Sequence, residues 1–534
     1  MAKAKEQNYL HGAAILTLGV IIIKILGAIY KIPIKNMIGD DGYGLFLSAY
    51  NVFSMFLTLA TAGLPVALAR MISKARSNGR TLQVRRTFNV AINTFFVFGL
   101  ICSLVMYLFP DQLAAMLNSP DAAKSIWALS PSVLLVCLTS AFRGYTQGHE
   151  NMIPTTVSQI LEVLLKVIVG LALAWYIMKN SGSKPDASAG AIFGVTVGSL
   201  TALAYMFICK RRNYRYTPVA EPDVPDSRKD IFVDLLRVGI PIALGSVVLS
   251  IINVLDSGLC MGRLQNAAGF SYSEAKTLYG VYGAAQTLFN VPAAFITPLT
   301  ISVIPAITAF TERGNNKQAA GVSEDSMRIS ATIALPMAVG LAVLSGPIMN
   351  VVYPGSHESG PLLLCLLGAA SFFVCYSLMS TAVLQANGLE RYPVISIIAG
   401  GLVKIAVNWV MVGNPDVNIA GAPVGTIACY VTMCVLNHIF MCVKFEKKPN
   451  LANILVRPFL ASILMGAVAF AAYHIPALIL NAQSRLMMLV CLVIAVAAAV
   501  LVYAVAAIQL SAITAEDMKL IPKGEKIAAI LHMK

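Results

Sequence analysis

Long apolar stretches separated by short polar segments run through the whole chain. Because a hydrocarbon core about 30 Å thick needs about 20 apolar residues per helix, each stretch of that length predicts one crossing. Fourteen such stretches lie near residues 11–34, 43–72, 87–109, 123–148, 153–178, 189–209, 232–260, 277–308, 328–352, 361–387, 393–412, 419–443, 455–479 and 486–510. The pattern predicts an all-α integral membrane protein with about fourteen transmembrane helices.

Composition supports this class and excludes others. Only 12% of the 534 residues are charged, and the mean hydropathy is +0.75, whereas a soluble domain is about 25% charged. A cytosolic enzyme, a secreted disulfide scaffold and a disordered chain are therefore excluded. The 10 cysteines are scattered through apolar stretches, and the 6 histidines show no ligand spacing, so neither a disulfide framework nor a metal site is expected.

The net charge of +14 reflects topology rather than nucleic-acid binding. If the N-terminus is cytoplasmic, most of the 39 Lys and Arg residues fall on the cytoplasmic side, including clusters at 70–86 and 210–237. This bias is the positive-inside pattern, which predicts that both termini are cytoplasmic. Eight residues fall on the opposite side: Lys31, Lys35, Lys124, Lys179, Lys184, Arg263, Lys276 and Arg485.

The chain contains an internal repeat. The segment beginning Tyr43-Gly44 is echoed by the one beginning Tyr279-Gly280, and Lys166 is echoed by Lys404 at nearly the same offset. The offset maps six helices onto six, so both copies enter from the same side and form two parallel repeats, as in transporters built from parallel halves. The predicted domains are an N-terminal six-helix lobe, a cytoplasmic linker, a C-terminal six-helix lobe, two extra transmembrane helices and a cytoplasmic amphipathic tail, over residues 1–209, 210–231, 232–448, 449–510 and 511–534.

Ionisable groups inside predicted spans are candidates for a binding cavity, because they are costly in lipid. Lysines exceed carboxylates there, and a buried ammonium costs several kcal/mol unless paired, so the excess favours an anionic substrate. A drug-cation exporter would instead favour acidic residues. The candidate substrate-binding residues are Lys24, Lys31, Asn51, Glu162, Lys166, Asp256 and Lys404.

Several of these residues allow two interpretations. Glu162 and Lys166 are four apart on one helix, so they could form a structural ion pair or line the cavity. Lys31 could extend its ammonium to the interface. Asp256 could pair with a lysine or bind a coupling cation. Lys24 and Lys404 have no acidic neighbour in sequence, which makes them the strongest cavity candidates.

The energy source is not carried by the chain itself. No Gly-x-x-x-x-Gly-Lys-Ser/Thr loop is present, so no ATP-hydrolysing domain is expected, and no cofactor is expected. A coupling cation, the membrane potential or the substrate gradient would have to drive transport. The aqueous loops also lack the acidic clusters of a membrane-embedded glycosyltransferase, so an enzyme is the least supported class.

Two motifs resemble those of a known family. They are Gly63-Leu64-Pro65-Val66-Ala67-Leu68-Ala69-Arg70 and Arg143-Gly144-Tyr145-Thr146-Gln147-Gly148. Together with the doubled six-helix plan and Pro522-Lys523-Gly524-Glu525-Lys526 in the tail, they resemble MOP-superfamily lipid-linked oligosaccharide flippases, of the branch that contains stage V sporulation protein B and the Gram-positive MurJ-like proteins.

The resemblance implies a V-shaped pair of lobes around a cationic cavity in the bacterial cell membrane. In MurJ-like members basic residues of the first helices hold the pyrophosphate, and Lys24 and Lys31 occupy a comparable region. The implied partners are the lipid bilayer, an undecaprenyl-linked lipid and other cell-wall synthesis proteins. Lipid II is the favoured cargo; another cell-surface or spore polysaccharide precursor, or a MATE-like drug or cation antiporter, remains an alternative.

Overall fold

The computed structural model describes residues 9–213, 223–479 and 484–512. Within those ranges the chain forms α-helices, two short 3-10 turns and no strand. Thirteen helical segments in the described residues are long and apolar enough to cross a membrane. The prediction of an all-α, multi-pass membrane protein is therefore confirmed. The predicted tail from residue 513 onward and the central part of the linker, 214–222, lie outside the described residues.

The first compact unit covers Met1–Gly280. Its helices are α1 (Tyr9–Thr61), α2 (Leu64–Ser77), α3 (Thr81–Leu108), α4 (Pro110–Met116), α5 (Ala123–Gly148), α6 (Ile153–Asn180), α7 (Lys184–Asn213), α8 (Arg228–Asn266) and the start of α9 (Tyr272–Glu312). The helix α6 packs along α7, and α5 packs on both α3 and α7.

The second unit covers Val281–Lys534. It contains the rest of α9 and the helices α10 (Asn316–Val343), α11 (Ser345–Val352), α12 (Gly360–Ala386), α13 (Arg391–Met411), α14 (Gly421–Lys444), α15 (Leu451–Ile479) and α16 (Arg485–Gln509). The last two helices pack on each other, and α15 also packs on α10. Their interface is built from small residues with a few large ones, such as Ala469, Ala495 and Tyr473, which suits close packing between helices in lipid.

The first helix holds two predicted crossings, because it breaks at Gly39. That residue has φ 74° and ψ −179°, a backbone conformation that only glycine adopts readily. A straight helix of 53 residues would be about 80 Å long, more than twice the hydrocarbon thickness. The break explains why two predicted spans, near 11–34 and 43–72, begin in one α1.

A second break ends α1 at Thr61, and α2 begins at Leu64 with Pro65 in its first turn. The predicted second span therefore consists of the latter part of α1 followed by α2. A Cβ at Gly63 would collide with the carbonyl oxygen of Gly239 in α8. Glycine thus permits the backbones of two helices to touch at this break.

Candidate functional site

The Gly39 break brings Lys31 against Tyr50. The Lys31 ammonium lies 5.8 Å from the centre of the Tyr50 ring. Nineteen residues of unbroken helix would separate these side chains by about 28 Å, so the contact exists only because α1 changes direction between them. Both side chains are half-buried.

Lys166 reaches the same ring from α6. Its ammonium lies 4.8 Å from the centre of the Tyr50 ring and 4.9 Å from that of Tyr30. Tyr30 is fully buried, and its hydroxyl donates a hydrogen bond to the Ala191 carbonyl oxygen at 2.7 Å. The ring that holds Lys166 is therefore fixed against α7. We call Lys31, Lys166, Tyr30 and Tyr50 the lysine–tyrosine cluster.

Tyr50 belongs to an aromatic stripe on the second half of α1. Tyr43, Phe46, Tyr50 and Phe53 follow one another at intervals of three or four residues, and successive ring centres are 5.7 to 5.9 Å apart. Such spacing places all four rings on one face of the helix. Within this stripe, the Tyr50 ring contacts Lys31 and Lys166.

Glu162 does not pair with Lys166, which answers the question that their spacing raised. Its carboxylate is 2.8 Å from the guanidinium of Arg143 on α5, and it accepts a further hydrogen bond from Ser199 on α7 at 3.2 Å. Arg143 also donates to the Ser158 hydroxyl at 2.9 Å. Glu162 therefore ties three helices together, whereas no carboxylate in the described part of the chain lies within ion-pair distance of Lys166.

Small residues allow this three-helix contact to form. A Cβ at Gly198 of α7 would collide with the carbonyl oxygen of Glu162 on α6. The close approach of the two backbones brings Ser199, the next residue, within reach of the carboxylate. The pair is mostly buried, with 11% of the Arg143 side chain and 20% of the Glu162 side chain exposed.

Asn51 belongs to a hydrogen-bond network on another side of α1, which also includes Ser257, the residue after Asp256. The Asn51 amide donates to the Tyr279 hydroxyl at 3.0 Å, and that hydroxyl donates to Ser257 at 2.7 Å. Asp256 precedes Ser257 on α8, is only 5% exposed and lies 3.8 Å from the Cys260 thiol. These hydrogen bonds link α1, α8 and the start of α9 within the first unit.

The two remaining candidate lysines are Lys404 and Lys24. Lys404 is 7% exposed inside the second unit, on α13, which packs along α14. Lys24 lies within α1, but its side chain is outside the described part of the structure. Lys166 and Lys404, which the predicted repeat would relate, therefore differ in burial, since Lys166 is half-buried.

Sequence reasoning missed Tyr30, Tyr50 and Arg143 as site residues. The aromatic spacing in α1 is a signal that could have indicated Tyr50. Arg143 stands in one of the two family-like motifs, near the end of the stretch predicted at 123–148, but that motif gave no sign of a contact with Glu162. No local signal indicated Tyr30, because its contact with Lys166 joins distant parts of the chain.

Comparison with known proteins agrees with the helical membrane fold. Residues 9–311 match the model of the family described as polysaccharide biosynthesis protein. The chain belongs to this family and is a multi-pass membrane protein.

Several similar proteins come from Bacillus subtilis. The chain is 28% identical to the lipid II flippase MurJ, covering 76% of this chain and 77% of the relative. It is 27% identical to stage V sporulation protein B, covering 81% and 83%. It is 25% identical to the membrane protein YabM, covering 98% and 96%.

Solved structures show the same fold. The structure of lipid II flippase MurJ in an inward closed conformation superposes with a TM-score of 0.67 at 15% identity, covering 93% of this chain and 99% of the other. An inward-facing MATE multidrug transporter of the MOP superfamily gives a TM-score of 0.66 at 15% identity, covering 80% and 97%. The expected family and fold are thereby confirmed, while the candidate site residues remain predictions.

Proposed function

We propose that this protein is a flippase that moves an undecaprenyl-pyrophosphate-linked saccharide from the cytoplasmic to the outer leaflet by alternating access, with lipid II as the favoured cargo. The lysine–tyrosine cluster is the observation that carries the proposal. Two ammonium groups from different helices lie around one ring inside a membrane-embedded unit.

The energetics of the cluster favour an anion. A desolvated cation–π contact contributes about 2 kcal/mol, whereas removing an ammonium from water costs several kcal/mol. Both ammonium groups lie within 5.8 Å of the centre of the Tyr50 ring, so they are less than about 11 Å apart and repel each other by roughly 1.5 kcal/mol or more at an effective dielectric constant of about 20. A pyrophosphate between Lys31 and Lys166 would offset both costs, and its release on the far side would restore them.

The remaining candidates have supporting roles in this proposal. Lys24 lies seven residues before Lys31 on α1, close to two helical turns, and would extend the cationic face. Asn51 would contact the polar headgroup. Lys404 would add positive charge from the second six-helix repeat. Asp256 would bind a coupling cation or respond to the membrane potential, and Glu162 would act through its contact with Arg143.

The proposal also covers the orientation of the protein in the membrane and the absence of a chemical reaction on the lipid. Both termini would be cytoplasmic, with an N-terminal lobe over 1–209, a C-terminal lobe over 232–448 and two extra helices over 449–510. Relatives whose names state a function are flippases, and the similar solved structures are flippases and transporters. We therefore propose transport without covalent change to the lipid.

Depletion in the native host tests the cargo directly. We expect lipid II to become inaccessible to an externally added probe when the protein is depleted, and wild-type protein to restore access in a strain that lacks its own lipid II flippase. Lipid II that stays accessible on the outer surface after depletion would exclude it as the cargo.

The similarity to stage V sporulation protein B favours one second candidate, a flippase for a spore or other cell-surface polysaccharide precursor. The same cluster would hold the same pyrophosphate, and only the saccharide would differ. Complementation of a sporulation mutant, together with failure to rescue a lipid II flippase mutant, would establish this alternative. Unchanged drug resistance on deletion would exclude a multidrug antiporter.

A further inference from the structure

A groove of about 540 Å³ lies at the start of α3, where the segment before α8 crosses it. Its polar end is lined by Arg85, Arg86 and Arg228, and further along α3 it is lined by Asn89 and Asn93. We call it the α3 groove. Its volume falls in the range of pockets that hold small molecules, and the lysine–tyrosine cluster contributes no residue to it.

Two aspartates, Asp223 and Asp226, connect the segment before α8 to the start of α3. Asp223 accepts hydrogen bonds from Arg80 and from the backbone of Gln83, and Asp226 accepts from the side chains of the same two residues, at 2.9 to 3.2 Å. Burial would raise the pKa of Asp223, but the hydrogen bonds from Gln83 and Arg80 outweigh it and leave that pKa lowered. Both aspartates therefore belong to a clamp that fixes this segment to α3.

The clamp also orients one groove arginine without neutralising it. Arg86 donates to the carbonyl oxygens of Pro225 and Asp226, both at 3.1 Å. Carbonyl oxygens are neutral, so the positive charge of the guanidinium is retained. A fixed guanidinium has the planar fork that suits a phosphate.

The exposed face of α3 changes character steadily along its length. Arg85 and Arg86 lie at one end, and Asn89 and Asn93 follow. Large apolar side chains then continue the same spacing of three or four residues, with exposed fractions of 44 to 60%: Phe96, Val97, Ile101, Leu104 and Leu108. The order from basic to amide to apolar matches a phospholipid from phosphate through glycerol to acyl chain.

We propose that the α3 groove binds the phosphate of an anionic membrane phospholipid, with its acyl chain along the apolar face of α3. The groove lies on the side where the charge distribution predicts the cytoplasm, and that leaflet carries the anionic lipids. Basic pockets on this side of membrane proteins are suited to such headgroups. The inference does not depend on the identity of the transported lipid.

Native mass spectrometry of the detergent-purified full chain tests this proposal. We expect phosphatidylglycerol to bind wild-type protein more tightly than phosphatidylcholine, and the variant Arg85→Gln/Arg228→Gln to lose about 30-fold in phosphatidylglycerol affinity. Arg86 is left intact because it holds the clamp. The matched control Arg211→Gln/Arg212→Gln removes two exposed arginines at the end of α7 and should keep wild-type affinity.

Additional experiments distinguish a phospholipid from free phosphate as the ligand and control for misfolded variants. The charge-preserving variant Arg85→Lys/Arg228→Lys should bind phosphatidylglycerol within about threefold of wild type, and each variant is used only if its lipid-free melting temperature matches wild type. Inorganic phosphate at millimolar concentration should not displace phosphatidylglycerol. Four results would each overturn the proposal. The Gln variant could bind phosphatidylglycerol as tightly as wild type, or the control variant could lose as much affinity as the Gln variant. Inorganic phosphate could displace phosphatidylglycerol, or the Gln variant could lose binding of undecaprenyl pyrophosphate alone.

Discussion

Lysines in two regions of the first unit meet different partners. At the end predicted to face outward, Lys35 pairs with Asp40, Lys124 with Asp186, Lys184 with Asp41 and Lys276 with Asp121, at 2.6 to 3.3 Å. In the lysine–tyrosine cluster, Lys166 lies over the rings of Tyr30 and Tyr50, and Lys31 contacts the ring of Tyr50. The residue type is the same, and only the partner chemistry differs.

The difference separates structural charge from charge that can serve a ligand. A carboxylate neutralises its lysine in every conformation that keeps the pair, so the pair stabilises the fold and nothing else. An aromatic ring stabilises a cation by only about 0.5–2 kcal/mol and leaves its full charge in place. Lys166, which lies over two rings and has no carboxylate within ion-pair distance in the described part of the chain, therefore keeps its charge for an anion, whereas a lysine paired with aspartate does not.

The double variant Lys31→Ala/Lys166→Ala should have the largest effect. A hydrogen bond to a charged group contributes about 1.5–3 kcal/mol, so losing two from a bound pyrophosphate should lower transport by about 100-fold or more. The measurement is outer-leaflet exposure of the lipid substrate, normalised to membrane protein level.

The outward-facing pairs supply the matched control for that experiment. Lys124→Ala/Lys184→Ala removes two lysines of the same unit whose partners are Asp186 and Asp41, and it should keep transport within about threefold of wild type because exposed pairs contribute little. Equal losses in the two double variants would show that total charge, rather than the cluster, is what transport requires.

Arg143→Ala should have the next largest effect, and on stability rather than on binding. It leaves Glu162 without its ion-pair partner in a mostly buried site, and such losses cost about 3–5 kcal/mol when burial is complete. We expect about 2–3 kcal/mol here, read as a lowered melting temperature in detergent. Adding Glu162→Gln should recover a large part of that loss, and an additive result would show that the two residues are uncoupled.

Local sequence patterns predicted the positions of the helices well, but they predicted the contact partners of charged side chains poorly. The apolar stretch predicted near 123–148 appears as Ala123–Gly148, and that near 361–387 as Gly360–Ala386. The length of each apolar stretch determines these spans, and that length can be read from consecutive residues of the sequence. The partner of Glu162 was not predictable in this way: spacing offered Lys166 on the same helix, but tertiary packing brought Arg143 from α5.

The lysine–tyrosine cluster depends on two features that local patterns do not carry. A break at Gly39 must bring Lys31 back to Tyr50, and α6 must pack where Lys166 can reach the same ring. Sequence indicated the lysines by their cost in lipid but gave no distance between them. Candidate residues were thus predictable, whereas their grouping required the three-dimensional structure.

Tyr50→Leu tests the aromatic side of the comparison and should have an intermediate effect. Removing the ring removes one cation–π contact from each lysine, worth about 0.5–2 kcal/mol, so transport should fall about tenfold. Tyr50→Phe keeps the ring and should stay within about threefold of wild type. If both variants lose transport equally, the hydroxyl rather than the ring face is required.

The single variant Lys124→Ala should have the smallest effect. Its side chain is 67% exposed and that of Asp186 is 41% exposed, and exposed ion pairs contribute about 0–1 kcal/mol because water and salt screen them. The melting temperature in detergent should therefore hardly change, and raising the salt concentration should remove any difference.

The buried pair offers the contrast: Lys35→Ala, at a site where the lysine is 3% exposed and Asp40 is 10% exposed, should lower the melting temperature clearly at any salt concentration. Similar losses at Lys124 and Lys35 would mean that burial does not set the strength of these pairs.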